Sequence, residues 1–168
     1  TADYNGVDSF TYSVSDGTAS MQGVISLTIT AVNDAPAANN MSVTTDEDAA
    51  VVVNLMALVS DIDGDNLSFT ITAQPQHGSV SLNANGDVVY TPVANYSGAD
   101  SFTYAVNDGT VSTAGLVNIN VTAVNDAPVA TPIAYSVDED GTLLITAADL
   151  LANVSDIDSA NLSITSVA

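Results

Sequence analysis

Along most of this chain apolar residues alternate with polar ones at a period of two. From Asp8 to Asp16, Phe10, Tyr12 and Val14 fall on one face and Ser9, Thr11 and Ser13 on the other. Successive side chains of an extended chain point to opposite sides, so this spacing predicts a half-buried strand. Val24 to Val32 repeats the pattern with Ile25, Leu27 and Ile29 inward, and Asp16-Gly17 between the two segments is a turn signal. The same alternation predicts strands over Met41–Thr45, Ala50–Asn54, Leu67–Ala73, Gly78–Asn83, Val88–Thr91 and Ser101–Val106, and a last one carrying Val117, Ile119 and Val121. Ala50–Asn54 is apolar enough to be central. Asn85-Gly86-Asp87 is a hairpin turn signal, and Pro75-Gln76-His77-Gly78 reads as another hairpin turn. Leu55–Val59 predicts one helical turn. Beyond Pro128 the pattern predicts strands at Ala134–Val137 and Leu143–Ile145, a short helix within Ala147–Val154, and a further strand opening with Leu162 and Ile164.

The pattern is also periodic on a longer scale. Val32-Asn33-Asp34-Ala35-Pro36 returns letter for letter as Val124-Asn125-Asp126-Ala127-Pro128, an offset of 92 residues (34 to 126). Phe10, Tyr12, Asp16 and Gly17 return as Phe102, Tyr104, Asp108 and Gly109, and Asp46-Glu47-Asp48 returns as Asp138-Glu139-Asp140. Ser60-Asp61-Ile62-Asp63 returns at Ser155-Asp156-Ile157-Asp158, now offset by 95 (61 to 156) because the later copy carries extra residues before it. This is a tandem array whose joint is the repeated pentapeptide. It predicts one complete repeat over 33–124, the C-terminal half of a repeat over 1–32 and the N-terminal part of another over 125–168. Short strands joined by Gly, Asn, Asp and Pro turns, with no long helix, predict an all-β fold. The expected architecture is a row of seven-stranded Greek-key sandwiches of immunoglobulin type, one complete and two partial. Each part-repeat would expose an unfinished core alone, so the chain is expected to be a piece of something longer. No apolar run is long enough to span a bilayer, so no membrane insertion is expected of this segment. Tyr4 and its copy Tyr96, just before the Phe-x-Tyr strand, are read as structural, in the manner of a tyrosine corner.

Charge changes the picture. The chain carries 20 acids with neither Lys nor Arg, a formal charge of −20. Nucleic acid is excluded as a partner, because a phosphate backbone needs basic neutralisation. Side chains other than the single His77 cannot pair with the acids, so clustered carboxylates need cations to offset their repulsion. All but two acids are Asp; Glu47 and Glu139 occupy equivalent repeat positions. The short Asp arm suits turns and the ligation of hard cations. Cysteine is absent, which removes disulfides as braces.

The acids also gather. Asn33-Asp34 lies between repeats, Asp46-Glu47-Asp48 at the first strand-to-strand turn, Asp61-Ile62-Asp63-Gly64-Asp65 before the third strand, and Asp108-Gly109 after the sixth. Such loops collect at the poles of a sandwich. Ca²⁺ takes 6–8 oxygens from carboxylates and carbonyls, and an Asp-x-Asp pair, a linker Asn-Asp and a bidentate Glu supply that kind of set. An EF-hand does not account for residues 61–65, because the twelfth loop position is Thr72 and no helices flank the loop. Any one Asp-Gly or Asn-Asp alone is a turn; together they point to Ca²⁺ at the joints.

Asn-Asp-Ala-Pro joints, Asp-Glu-Asp, Ser-Asp-Ile-Asp-Gly-Asp and Ser-Phe-Thr-Tyr-x-Val-x-Asp-Gly at this spacing resemble the cadherin-like tandem-95 repeats of large bacterial surface and secreted adhesins. The resemblance covers the whole chain. It implies calcium-rigidified extracellular rods that hold an adhesive region away from the cell, with host or cell-surface glycans or proteins as targets of that region. Carried across by position, it implies a first joint built from Asn33, Asp34, Asp61, Asp63 and Asp108. The second would use Glu47, Asn125, Asp126, Asp156 and Asp158, with Asp46, Asp48 and Asp65 as secondary ligands. Neighbouring repeats of the same chain would then be partners through calcium. The cadherin Leu-Asp-Arg-Glu motif has no clear counterpart, Asp100 being nearest, so one or two ions are expected per joint rather than three.

Two other classes compete. A carbohydrate- or surface-binding sandwich would want an aromatic platform, yet Trp is absent and only Tyr135 and Tyr90 offer material. An enzyme would have to use the lone His77, without a Gly-x-Ser-x-Gly elbow, and a site recurring every repeat is an unusual arrangement for catalysis. A non-enzymatic protein is therefore expected.

Overall fold

A computed structural model describes residues 2–167. The first two strands, β1 (Gly6–Ser15) and β2 (Ser20–Ile29), form an isolated antiparallel hairpin. Then come β3 (Ala37–Ala38), β4 (Met41–Asp46), β5 (Val51–Asn54), a 3-10 turn at Leu55–Leu58, β6 (Val59–Ser60) and β7 (Ser68–Ala73). They are followed by β8 (Gly78–Leu82), β9 (Asp87–Pro92), β10 (Gly98–Asn107) and β11 (Ser112–Thr122). The seven longer strands after the hairpin make a four-stranded sheet, β4-β11-β10-β7, and a three-stranded sheet, β5-β9-β8. Two-residue strands β3 and β6 pair separately.

Alternation decides what faces inward. Phe102, Tyr104 and Val106 on β10, and Val117, Ile119 and Val121 on β11, are buried. Val53, Val88 and Tyr90 of the other sheet and Leu55 of the 3-10 turn meet all of these except Val106 in one core. The Tyr104 ring lies over Gly115 of the neighbouring strand, where a Cβ would come within 2.4 Å of it, and its hydroxyl donates to the Asn39 carbonyl at 2.8 Å. Glycine is needed there for space. The Tyr96 hydroxyl donates to the Ala99 carbonyl at 2.7 Å, as Tyr4 does to Val7 at 3.1 Å, so both fasten the chain entering the hairpin.

The all-β sandwich expected from the alternation is the fold observed, with three differences of detail. Strand β5 is an edge strand rather than a central one; β9 lies between it and β8. Pro75–Gly78 is not a hairpin turn, because β7 and β8 belong to different sheets. The strands expected at Ala134–Val137, Leu143–Ile145 and Leu162–Ile164 do not form; only β12 (Val129–Ala130) and β13 (Val154–Ser155) pair there. The reason is non-local. In the complete repeat β4 pairs with β11, β5 with β9 and β7 with β10, and residues 125–167 contain no counterparts of those partners. The short-range features do form. Asn54 caps the 3-10 turn by accepting the Ala57 N–H at 3.0 Å, and its counterpart Thr146 caps α1 (Ala147–Leu151) in a capping box with Asp149. The extra residues of this copy thus lengthen a turn into a helix.

Candidate metal centres at the repeat joints

Each joint is built from a linker and the loops that meet it. At the first, the Asn33 side-chain amide donates to Asp108 Oδ2 at 2.9 Å and to the Asp34 carbonyl at 2.9 Å. The Asp34 N–H donates to Asp63 Oδ2 at 2.7 Å. Asp61 Oδ1 accepts from the N–H groups of Asp63 (2.9 Å) and Gly64 (3.0 Å), a turn eased by the positive φ of Gly64, +78°. Asp61, Asp63 and Asp65 offer oxygens within 4.8 Å of one another, so Asp65, ranked second from sequence, stands beside the two favoured acids. Buried Asp108 tightens its own turn by accepting the Thr110 and Val111 N–H groups, each at 2.6 Å. The Val111 hydrogen bond, the Asn33 amide and the Thr110 hydrogen bond hold its carboxyl below the usual range.

The second joint repeats the design and adds Glu47. Asn125 donates to the Asp126 carbonyl at 2.7 Å, the Asp126 N–H to Asp158 Oδ2 at 2.6 Å, and the N–H groups of Asp158 and Ser159 to Asp156 Oδ1 at 2.9 and 2.7 Å. Glu47, at the end of β4, is buried; its backbone N–H donates to the Thr122 carbonyl at 2.9 Å, and its Oε1 accepts the Val124 N–H at 2.7 Å. Oxygens of Glu47, Asp126 and Asp158 come within 4.8 Å of one another. One comes from the complete repeat, one from the linker and one from the following repeat. Asp126 has its pKa raised by burial first, then by the charges of Asp158, Asp48, Glu47 and Asp156. The chain carries neither Lys nor Arg to relieve them.

Among the described residues, two buried carboxylate oxygens, Asp61 Oδ2 and Asp126 Oδ2, have no hydrogen-bond partner. Buried polar atoms are ordinarily paired, so each is an acceptor lacking its donor, one at each joint. Hard oxygens with a surplus of negative charge fit a Ca²⁺ ion.

Asp100, the nearest counterpart of the missing motif, is spent elsewhere. Its carboxylate accepts the N–H groups of Gln76, His77 and Ser101 and the Tyr90 hydroxyl. Burial opposes its charge, but those four bonds outweigh burial and leave its pKa lowered; burial and this carboxylate in turn push the Tyr90 hydroxyl up. Tyr90 is fully buried and offers no binding platform. The His77 ring stacks on Tyr96, with centroids 4.1 Å apart.

Position 3 and its repeat equivalent 95 were missed from sequence. Asp3 lines a cleft with Asp34 and Asp63 at the first joint, and Asn95 lines one with Asp126 and Asp156 at the second. Both adopt left-handed backbone, φ 59° and 57°. The signal was available: an Asx residue at the same repeat position before each Tyr corner.

A model described as "Bacterial Ig domain" matches residues 33–120. The chain belongs to the bacterial Ig domain family. Residues 124–168 of this Ig chain match a model described as "Cadherin-like domain", so these are cadherin-like bacterial Ig repeats. The repeats are 26% identical over 124 residues to human extracellular matrix organizing protein FRAS1, covering 61% of this chain and 3% of that protein. Among solved structures, human protocadherin-24 EC1-2 is 20% identical with a TM-score of 0.48, covering 68% of this chain and 65% of that one. Endo-fucoidan hydrolase MfFcnA4, from glycoside hydrolase family 107, is 28% identical with a TM-score of 0.43, covering 74% of this chain and 20% of that one. The Ig chain therefore spans a small fraction of FRAS1 and about a fifth of the hydrolase.

Proposed function

We propose that these repeats are calcium-rigidified extenders of a large extracellular adhesin, without catalytic activity of their own. The observation that carries this is the buried, unpartnered Asp126 Oδ2 inside a three-carboxylate cluster contributed by two repeats and their linker. Repeats would be bounded at 33 and 125. Without cation the carboxylates of Glu47, Asp126 and Asp158 repel and the Pro-bearing linker bends. Ca²⁺ shared between the repeats neutralises them and fixes one alignment, stabilising it by mass action. Asn33, Asp34, Asp61, Asp63 and Asp108 would serve the first joint, and Asn125 and Asp156 would complete the second, with Asp48 and Asn95 beside it. Each repeat would add about 35–45 Å to a rod, from strand lengths. The similarity to an extracellular matrix protein supports the extracellular setting.

Small-angle scattering tests this. Calcium should lengthen the particle and magnesium should do so far less; Asp126→Ala should abolish the lengthening while leaving the far-ultraviolet spectrum of the sandwich intact. A particle of the same dimensions with and without calcium would count against the proposal.

A further inference from the structure

Where β7 leaves the four-stranded sheet, a groove opens. β7 runs antiparallel beside β10 only as far as Ala73, opposite Thr103. From there the chain crosses to β8 in the other sheet, and Gly98–Phe102 of β10 keep β11 alone beside them. The departing loop, residues 74–77, and that stretch of β10 wall a groove of about 450 Å³, a size at which small-molecule sites occur. Every residue lining it belongs to the complete repeat. The loop is held in place from within the sandwich. Pro75 is buried, and the Asp100 carboxylate accepts the Gln76 and His77 N–H groups, each at 2.9 Å. The exposed His77 ring lies against Tyr96 with 5° between the two planes. Tyr96 thus fixes a flat ring at the groove wall, which lowers the ordering that a ligand would otherwise have to impose.

The lining chemistry is neutral and two-sided. Beside His77 stand the side-chain amides of Gln74, Gln76 and Asn118 and the hydroxyls of Ser101 and Thr103. Amides and hydroxyls both donate and accept, as sugar hydroxyls do. Charge narrows the ligand further. Among the described residues lining the groove Asp100 is the one acid, and its oxygens already hold four donors. With neither Lys nor Arg in the chain, an anionic ligand finds no partner there and is repelled by the formal charge of −20. A flat ring beside a rim of mixed donors and acceptors suits a sugar, whose ring offers C–H groups on its faces and hydroxyls around its edge.

We propose that this groove binds a neutral oligosaccharide. The His77 ring packs on the C–H face of one sugar, and the amides of Gln74, Gln76 and Asn118 pair with hydroxyls along the chain of sugars. The extender repeat itself then holds glycan, apart from any adhesive region elsewhere. At the repeat offset Asp8, Ser9, Thr11 and Ser26 stand where Asp100, Ser101, Thr103 and Asn118 stand in the complete repeat, so the strand wall of the groove is written in both copies. Weak sites recurring along one chain gain by avidity. The groove uses none of the joint carboxylates, so the inference goes beyond the calcium reading and fails or holds separately from it.

The test is a nuclear magnetic resonance titration of the isotope-labelled chain, run in calcium and again in chelator. The probes are neutral trisaccharides (cellotriose, maltotriose and mannotriose), with trigalacturonic acid as the anionic and triglucosamine as the cationic comparison. Up to about 10 mM, which reaches millimolar dissociation constants, a neutral trisaccharide should shift the amides of residues 74–77, 99–103 and 118 saturably and alike in both buffers. Trigalacturonic acid should not. His77→Ala and Asn118→Ala should each weaken that binding at least fivefold without altering the melting of the sandwich. Asn120→Ala, on the same face of β11 but outside the groove, should bind as the parent does. Groove amides unmoved by all three neutral probes, or both groove variants binding as tightly as the parent, would overturn the proposal. So would binding of triglucosamine alone, which would show attraction to the acids of the chain rather than a sugar site.

Discussion

The hairpins β1–β2 and β10–β11 are nearly one sequence written twice. Phe10 pairs across to Ile25 and Tyr12 to Gly23, just as Phe102 pairs to Val117 and Tyr104 to Gly115. Both put a tyrosine ring over a cross-strand glycine, and both are entered through a tyrosine whose hydroxyl holds a carbonyl three residues on. Yet Phe10 and Tyr12 are 52% and 48% exposed, while Phe102 and Tyr104 are 1% and 0%. Local sequence sets strand, turn and register in both places. Burial comes only where β4, β7 and the opposite sheet supply the other walls. The same aromatic pair is buried where those walls are among the described residues and uncovered where they are not.

That contrast has graded consequences. The largest is expected at the tyrosines. Tyr104→Ala should cost about 3–5 kcal/mol, as for truncation of other buried aromatics. Tyr12→Ala should change the stability of the complete sandwich by less than about 0.5 kcal/mol, both measured by urea unfolding. Next come the glycines. Gly115→Ala meets a ring locked in the core and should destabilise by about 1–3 kcal/mol. Gly23→Ala meets a ring that can swing into solvent, and should cost less than half as much in the same assay.

The turns and joints supply the smallest, pH-dependent contrast. Asp108, its pKa lowered first by its hydrogen bond from Val111, contributes stability that is present above its unfolded pKa and is lost as pH falls through its lower folded value. Asp126 works the other way. Its pKa is raised, so ionisation opposes the assembled joint as pH rises through that value, unless a cation binds. Calcium affinity should therefore fall on acidification through the raised Asp126 pKa, above the usual carboxylate range, while the Asp108 turn is still intact. Affinity measured across that interval should decline; constant affinity would remove Asp126 from the site.

Much of this was legible in the sequence because it is either local or periodic. Alternation located the seven longer strands of the complete sandwich but not the two-residue β3 and β6, and the resemblance to cadherin-like repeats set Glu47 with Asp126 and Asp158. What stayed hidden is non-local. Nothing in Met41–Asp46 announces that it will pair in parallel with a strand about 75 residues away, and the alternation of Ala134–Val137 predicts a strand although the part-repeat holds no counterpart of β11 for it to pair with. Asp100 lay nearest the missing Leu-Asp-Arg-Glu motif in the sequence, yet four donors already occupy its carboxylate. Asp3 and Asn95 drew no reading from the sequence; both adopt left-handed backbone and line the clefts.

The decisive measurement is an isothermal calcium titration of the chain and of its Asp126→Asn and Glu47→Gln variants, with Asp149→Asn, which alters only the cap of α1, as a control for lost charge. The account predicts saturable calcium binding to the parent chain, weaker magnesium binding, a loss of at least tenfold in affinity at the second joint in the first two variants, and no comparable loss in the control. Isotherms of Asp126→Asn and Glu47→Gln that superimpose on the parent would show that the carboxylates at this joint are not cation ligands.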